Sequence, residues 1–469
     1  MGLLQTSNNQ AADRANAARA GRRKLFAAFA VGIAMVVEAC HGGSSAPPRQ
    51  DAHSMTATQS ASSWSGGFEN ARASLMETKD AIREAAALML DFAERTGLST
   101  EGPGRRYLWT DAFAVCNYLG LARATGEGRY SDLALRLIDR VHGTLGKHRP
   151  DDRRAGWISG LDGEEARAHP TRGGLRIGKD LPERQAGEPF DEQLEWDRDG
   201  QYFHYLTKWM LALDQAARAT RDSTFNAWGR ELAETAHRAF AHAVDGGERR
   251  LYWKMSIDLT RPLVTSMGQH DAVDGYVTSE QLRATALALP GAAFGPPLDD
   301  VAADFDSMIN RGNVETTDPL GLGGLLADAY RAVQLGAQSE LKDTGLPQVL
   351  LDAALAGLER YSAEGELERP AEARLAFREL GLAIGLHAAS LMRQGTATDG
   401  GPPLALRDVL EKLRRYDRLR TAILAFWRAP EHRRASSWIE HRDINDVMLA
   451  TALAPEGFLV LRISPQTTP

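Results

Sequence analysis

From about residue 70 the chain alternates two kinds of apolar pattern. In SLMETKDAIREAAALMLDFAERTGL, Leu75, Ile82, Ala86, Met89, Leu90 and Ala93 recur near a period of 3.6 and Gly97 supplies a stop, which predicts an amphipathic helix. LWTDAFAVCNYLGLARAT is apolar almost all round from Leu108 to Ala122, which predicts a helix buried on most sides. YSDLALRLIDRVHGTLGKH returns to one stripe, with Leu133, Leu135, Leu137, Ile138 and Val141 facing in. The alternation recurs in YFHYLTKWMLALDQAARAT (202–220), buried in type, and FNAWGRELAETAHRAFAHAV, amphipathic. TSEQLRATALAL, GLGGLLADAYRAVQL (321–335) and ARLAFRELGLAIGLHAASLM (373–392) extend the inner set. LPQVLLDAALAGLERY (346–361) and LRDVLEKLRRYDRLRTAILAFW (406–427) extend the outer one, and a last helix is expected over residues 447–453.

The ARAT at 122–125 returns at 217–220, 95 residues on (217 − 122), and the same offset superposes Tyr130 on Phe225. An internal repeat of helical hairpins follows. No run with a period of two is long enough to build a sheet, so the expected class is all-α, and buried helices alternating with amphipathic ones imply two layers. Long, irregular connections weigh against a regular solenoid and favour a closed α/α toroid. In this architecture the chain resembles the six-hairpin glycosidase-like superfamily of (α/α)6 toroids over about residues 70 to 455. The resemblance implies glycoside hydrolases, unsaturated uronyl hydrolases or, on a related barrel, sugar 2-epimerases. It carries no catalytic signature of one subfamily.

The N-terminus adds a destination. Arg22, Arg23 and Lys24 precede an apolar run from Leu25 to Val37, the make-up of an export signal, and VEAC ends in a lipobox-like Cys40 in which Glu38 departs from the usual small residue. The expected organisation is a signal peptide over 1–40, a Ser-, Gly- and Pro-rich tether over 41–67, a helical domain over 68–455 and a tail over 456–469. This implies a periplasmic or outer-membrane lipoprotein, held to the membrane by acylated Cys40. Lys and Arg total 55 against 62 Asp and Glu, a net charge of −7 without a basic face, which excludes nucleic acid as a partner. With Cys40 acylated, only Cys116 remains, so no internal disulfide is expected.

Candidate chemistry collects in the connections, where a toroid gathers its loops at one mouth. One runs from Arg149 to Gly200, and another is LYWKMSIDLTRPLVTSMGQHDAVDGY (251–276), read as a mouth loop. Trp109, Trp157, Trp196, Trp253 and Trp438 lie in or beside loops, and flat aromatics next to polar side chains suit the apolar faces and hydroxyls of sugars. Glycoside hydrolysis needs two carboxylates, and Asp197, Asp271 and Glu440 are the candidates, with Asp199 read as a helix cap and Asp274 as turn chemistry. Substrate contacts are assigned to Trp109, Asp111, Trp196, His204, Tyr252, Trp253, Lys254, Gln269, His270, Trp438 and His441. His387, on an apolar helix, is read as core.

No HExxH, CxxC pair, GxSxG or phosphate loop occurs, and DRDG lacks the Glu of an EF-hand, so no metal and no cofactor are expected. The leading expectation is carbohydrate binding with hydrolysis. The alternatives are a non-catalytic carbohydrate-binding or envelope-assembly protein and a sugar isomerase using His204, His270, His387 and His441 as acid and base.

Overall fold

The structure, a computed structural model, describes residues 63–100, 104–244, 246–289, 294–337, 343, 345–395 and 404–463, with side chains from 76 onward. The expected export signal, Cys40 and residues 41–62 of the expected tether lie outside the described residues, whereas residues 63–67, expected to belong to the tether, are already helical. In chain order, α1 (Ser63–Arg95) leads to α2 (Leu108–Thr125) and α3 (Gly128–Leu145). A connection carrying α4 (Gly163–Ala168), α5 (Glu192–Asp197) and β1 (Gln201–Tyr202) leads to α6 (Phe203–Thr220) and α7 (Ser223–Phe240). Strands β2 (Ala241–Ala243), β3 (Arg249–Leu251), β4 (Lys254–Met255) and β5 (Pro262–Val264) precede α8 (Asp271–Ala288) and α9 (Asp299–Met308). Then follow α10 (Pro319–Ala337), α11 (Leu346–Ala363), α12 (Ala376–Gln394), α13 (Arg407–Leu413), α14 (Asp417–Arg428), α15 (Ser436–Ile439), α16 (Arg442–Leu453) and α17 (Glu456–Leu459). The body is all-α, as expected.

The two pattern types become two kinds of helix. Every residue of α2 from Leu108 to Leu121 is buried, whereas α3 buries Tyr130, Ala134, Leu137, Ile138, Val141, His142 and Leu145, one stripe at spacings of three and four. Each fully buried Leu on that stripe contributes roughly 1.5–3 kcal/mol relative to exposure. Helix α2 packs on α6, α6 on α8, α8 on α10, α10 on α12, α12 on α16, and α16 again on α2. The partners α3, α7, α9, α11, α14 and α1 each pack on one or two of these six.

The ARAT repeat has a structural cause. Thr125 donates its hydroxyl to the Leu121 carbonyl at 2.8 Å and accepts the Glu127 N–H at 3.2 Å. Thr220 does the same with Ala216 at 2.7 Å and Asp222 at 3.2 Å. The chain then turns through the left-handed region, at Gly126 (φ 74°) and Arg221 (φ 61°). One helix-ending device is used twice.

Four further expectations are corrected. The stretch 251–276 is not one open loop: β4 pairs antiparallel with β1 and β5, β3 pairs with β2, and α8 begins at Asp271 rather than after Tyr276. The amphipathic run 406–427 breaks into α13 and α14 at a tight turn over Arg414–Tyr416. The last helix, expected from 447, starts at Arg442. Finally, residues 456–461 do not trail away as a tail. Gln215 of α6 donates to the Gly457 and Val460 carbonyls at 3.0 and 3.2 Å, and Gln334 of α10 donates to Leu459 at 3.0 Å and accepts the Leu461 N–H at 2.9 Å. The segment satisfies buried amides of two helices and is held by them.

Helices α10 and α12 approach at glycine. A Cβ on Gly323 would lie 2.1 Å from the Gly381 carbonyl oxygen, while one on the next residue, Gly324, would meet nothing within 4 Å. Gly323→Ala should therefore force the helices apart and destabilise by roughly 1–3 kcal/mol. Gly324→Ala should be neutral or stabilising by up to about 1 kcal/mol through helix propensity. Thermal unfolding of the two single variants checks this opposition.

Candidate active site

The N-terminal halves of the buried helices surround a cavity of about 170 Å3. Helix α2 contributes Trp109 and Phe113, α6 contributes His204 and Lys208, and α8 contributes Asp271 and Asp274. Helix α10 supplies Gly321, Gly323, Gly324 and Asp328, with open space beside Gly324, and Trp253 enters from the connection between β3 and β4.

Trp253 is set by the connections packed behind it. Lys254 is fully buried, and its ammonium donates to the Glu195 carbonyl at 2.7 Å, the Glu195 carboxylate at 3.0 Å and the Arg198 carbonyl at 2.9 Å. That fastens α5 to β4 and brings Trp196 edge-on to Trp253 at 4.6 Å. The His204 ring stacks on Trp253 at 5.8 Å and Tyr202 at 5.3 Å. Across the cavity Trp109 lies 4.4 Å from Phe113, which stacks on Phe458 at 4.5 Å.

The polar side is a set of buried charges with one left over. Asp274 accepts the Thr207 hydroxyl at 2.5 Å and the Lys208 ammonium at 2.8 and 2.7 Å, and Arg331 stands at 3.6 Å. Burial pushes its carboxyl up, but the two cations and these hydrogen bonds outweigh burial and hold it below the usual range. Asp328 accepts from Arg331 at 2.8 Å, yet burial and the Asp274 charge keep its carboxyl raised. The Asp271 carboxyl, one helical turn from Asp274, has no ion pair among the described residues and accepts the Gly268 N–H at 3.0 Å. Burial, then the neighbouring Asp274 charge, push it up to about 7. It is thus a carboxyl able to hold or release a proton near neutrality.

Two histidines share the cavity. His204 is lowered to about 3 by burial and then by Lys208, and its Nδ1 is buried without a hydrogen-bond partner. His270 is lowered by burial, and its Nε2 donates to the Val314 carbonyl at 2.7 Å. Gln269 donates to the Asn313 and Glu315 carbonyls at 3.0 and 2.7 Å, so this pair also pins the 313–315 segment to the rim.

The structure thus brings together Asp271, Trp109, His204, Trp253, Gln269 and His270 of the expected residues, and separates the rest. Asp197 ends α5 half-buried and does not line the cavity, because the clamp on Glu195 turns Trp196 inward. Glu440 is exposed behind Trp438, whose indole packs 5.6 Å from Trp427. His441 lies edge-on to Phe377 at 6.0 Å, and Tyr252 stacks on His242 at 3.7 Å. Asp111 is buried against Arg106 at 3.5 Å, accepts the Tyr107 N–H at 3.1 Å, and is raised to about 6 by burial. Trp196 and Lys254 are supports behind the wall. Asp199 does not cap α6: its oxygens take Arg176 at 2.9 Å and the Gly178 and Gly200 N–H groups at 3.0 and 3.1 Å. Asp274 is a buried ion-pair centre rather than turn chemistry.

Lys208, Asp328 and Phe458 were not anticipated. The signal for Asp328 was present: Asp328 and Arg331, three apart in the otherwise apolar LLADAYRAVQL, are costly to bury unless each meets an opposite charge. Among the described residues no group of three or more His, Cys, Asp or Glu side chains is arranged to hold a metal ion, and no helix is long and apolar enough to cross a membrane. Comparison with known proteins finds no matching family model and no matching curated protein.

Because the folded carboxyl of Asp271 is raised above its unfolded value of 3.8, its contribution is fully present at low pH and is lost as pH rises through about 7. Asp271→Asn, which cannot ionise, should match the parent's stability near pH 4 and exceed it at pH 8 by on the order of a few kcal/mol. Denaturant unfolding at the two pH values checks the sign.

Proposed function

We propose that the six buried helices and their partners form a two-layer α/α toroid of the six-hairpin glycosidase-like kind, and that the cavity binds a carbohydrate and hydrolyses a glycosidic bond. The cyclic order of helix packing supports the architecture. The observation that carries the chemistry is Asp271, a buried carboxyl with no ion pair among the described residues, facing a cavity bordered by Trp109 and Trp253. Its protonated form gives a proton to the leaving oxygen, and its raised pKa keeps that form populated near neutrality. Asp274, held ionised by Lys208 and Arg331, supplies fixed negative charge to the oxocarbenium-like transition state. Asp274 and Asp328 are the carboxylates available to activate water or attack directly. The indoles offer stacking faces for the sugar ring. In this assignment Asp274 and Asp328 replace Asp197 and Glu440 as partners of Asp271. The export signal and Cys40 support a periplasmic or outer-membrane setting for such an enzyme.

One observation favours a second reading. His204 and His270 line the same cavity, a placement that suits a His pair exchanging protons next to a carbonyl and hence a sugar isomerase, while burial lowers both and weakens them as bases.

A panel of oligosaccharides assayed for reducing-end release separates the readings. Asp271→Asn is expected to lower kcat by roughly 10²–10⁴-fold with little change in affinity. The parent rate should fall as pH rises through about 7, where Asp271 loses its proton. Unchanged release in Asp271→Asn refutes the assignment. Sugar interconversion lost in His204→Ala supports the isomerase, and binding without turnover supports a carbohydrate-binding protein.

A further inference from the structure

Resting on that hydrolytic reading, we propose that the cavity is a blind pocket that takes one uncharged terminal sugar residue, and that the C-terminal segment 456–461 forms its floor. Its lining residues come from the first halves of the buried helices: Trp109 and Phe113 of α2, His204 and Lys208 of α6, Asp271 and Asp274 of α8. The second halves of α2, α6 and α10 instead meet the C-terminal segment. Gln215 and Gln334 bind its backbone, Arg123 stands 3.9 Å from Glu456, and a Cβ on Gly457 would lie 2.1 Å from the Cys116 carbonyl oxygen. The segment is therefore seated directly on helix backbone. From it Phe458 rises into the cavity and stacks on Phe113. The volume above, about 170 Å3, falls below the roughly 300–1,000 Å3 of pockets that hold larger ligands. That leaves room for a single ring, with the C-terminal segment closing the side that Phe458 lines.

Charge narrows the ligand further. The cavity presents the carboxyl groups of Asp271, Asp274, Asp318 and Asp328, and its one lining cation among the described residues, Lys208, is committed to Asp274. Arg331 behind the wall is spent on Asp328, Thr278 and Gln281. Arg378 pairs with Asp318 at 2.6 Å. A uronate carboxylate would enter without a partner, beside carboxylates that repel it. The pocket thus selects a neutral sugar at a chain end and cleaves only the last linkage.

The test uses neutral oligosaccharides with a free non-reducing end, the same chains with that end blocked by a bulky ether, and chains ending in a uronate. The parent protein should release monosaccharide alone from the first time point. Calorimetry with Asp271→Asn should show blocked and uronate-ended chains binding about tenfold or more weakly than free-ended ones. Phe458→Ala, which deepens the floor, should recover binding of blocked chains. Early release of mixed oligomers, equal binding of all three ligand sets, or an unchanged preference in Phe458→Ala overturns the proposal while leaving hydrolysis standing. Free-end-selective binding without release refutes hydrolysis and leaves the pocket standing. No binding of any free-ended chain refutes both.

Discussion

The site depends on the buried pairing of Asp274 with Lys208 and Arg331. Three helices meet there: α6 supplies Thr207 and Lys208, α8 supplies Asp274, and α10 supplies Arg331. From Arg331 the polar chain continues to Gln281 at 2.9 Å, from Gln281 to Asp214 at 2.7 Å, and from Arg218 to Asp214 at 2.7 Å. Removing one partner would leave a charge stranded in the interior at a cost of about 3–5 kcal/mol, so the network fixes how these helices sit. One turn earlier on α8, Asp271 has no such ion-pair partner among the described residues. The ion pair holds Asp274 ionised, and that charge in turn helps keep Asp271 protonated.

The rest of the fold serves this contrast by controlling space and water. Gly323, Gly381 and Gly385 let α10 and α12 approach closely, Gly321 makes room for Thr316 and His270, and Gly324 leaves open space beside it. The Lys254–Glu195 clamp sets the wall that carries Trp253, and Gln269 and His270 set the rim. Residues 456–461 occupy the opposite end. A carboxyl enclosed in this way is poorly hydrated, which is why burial is the larger of the two causes that raise it.

Much of the architecture was legible in the sequence because helices write their burial into a 3.6-residue period. The contrast between LWTDAFAVCNYLGLARAT and YSDLALRLIDRVHGTLGKH separates a buried helix from its one-sided partner, and the two ARAT segments mark the same helix end twice. Helix α9 went unseen, although Leu298, Val301, Ala302, Phe305 and Met308 are buried at helical spacing. The start of α8 was hidden because Asp274 read as turn chemistry and Asp271 as a carboxylate of a mouth loop, whereas in the fold both stand in the first turn of a helix, where negative charge is favoured. The candidate site was legible only in part. Trp109, His204, Trp253, Gln269, His270 and Asp271 converge as expected, but Asp197 and Glu440 share only composition with a site. Which face a loop residue presents is decided by clamps such as Lys254–Glu195 that join segments 59 residues apart, and local pattern does not carry them. Phe458 was missed for the same reason, since a short apolar segment after the last long helix acquires meaning only from the cavity above it.

The most direct test of the account is the ionisation of one side chain. In protein labelled with 13C at aspartate carboxyls, the resonance assigned by its loss in Asp271→Asn should titrate with a midpoint near 7 and move toward the ordinary value when Asp274 is replaced by Asn. A midpoint near the usual 3.8, insensitive to Asp274, would contradict the claim that this cavity holds a protonated carboxyl set by its neighbour's charge.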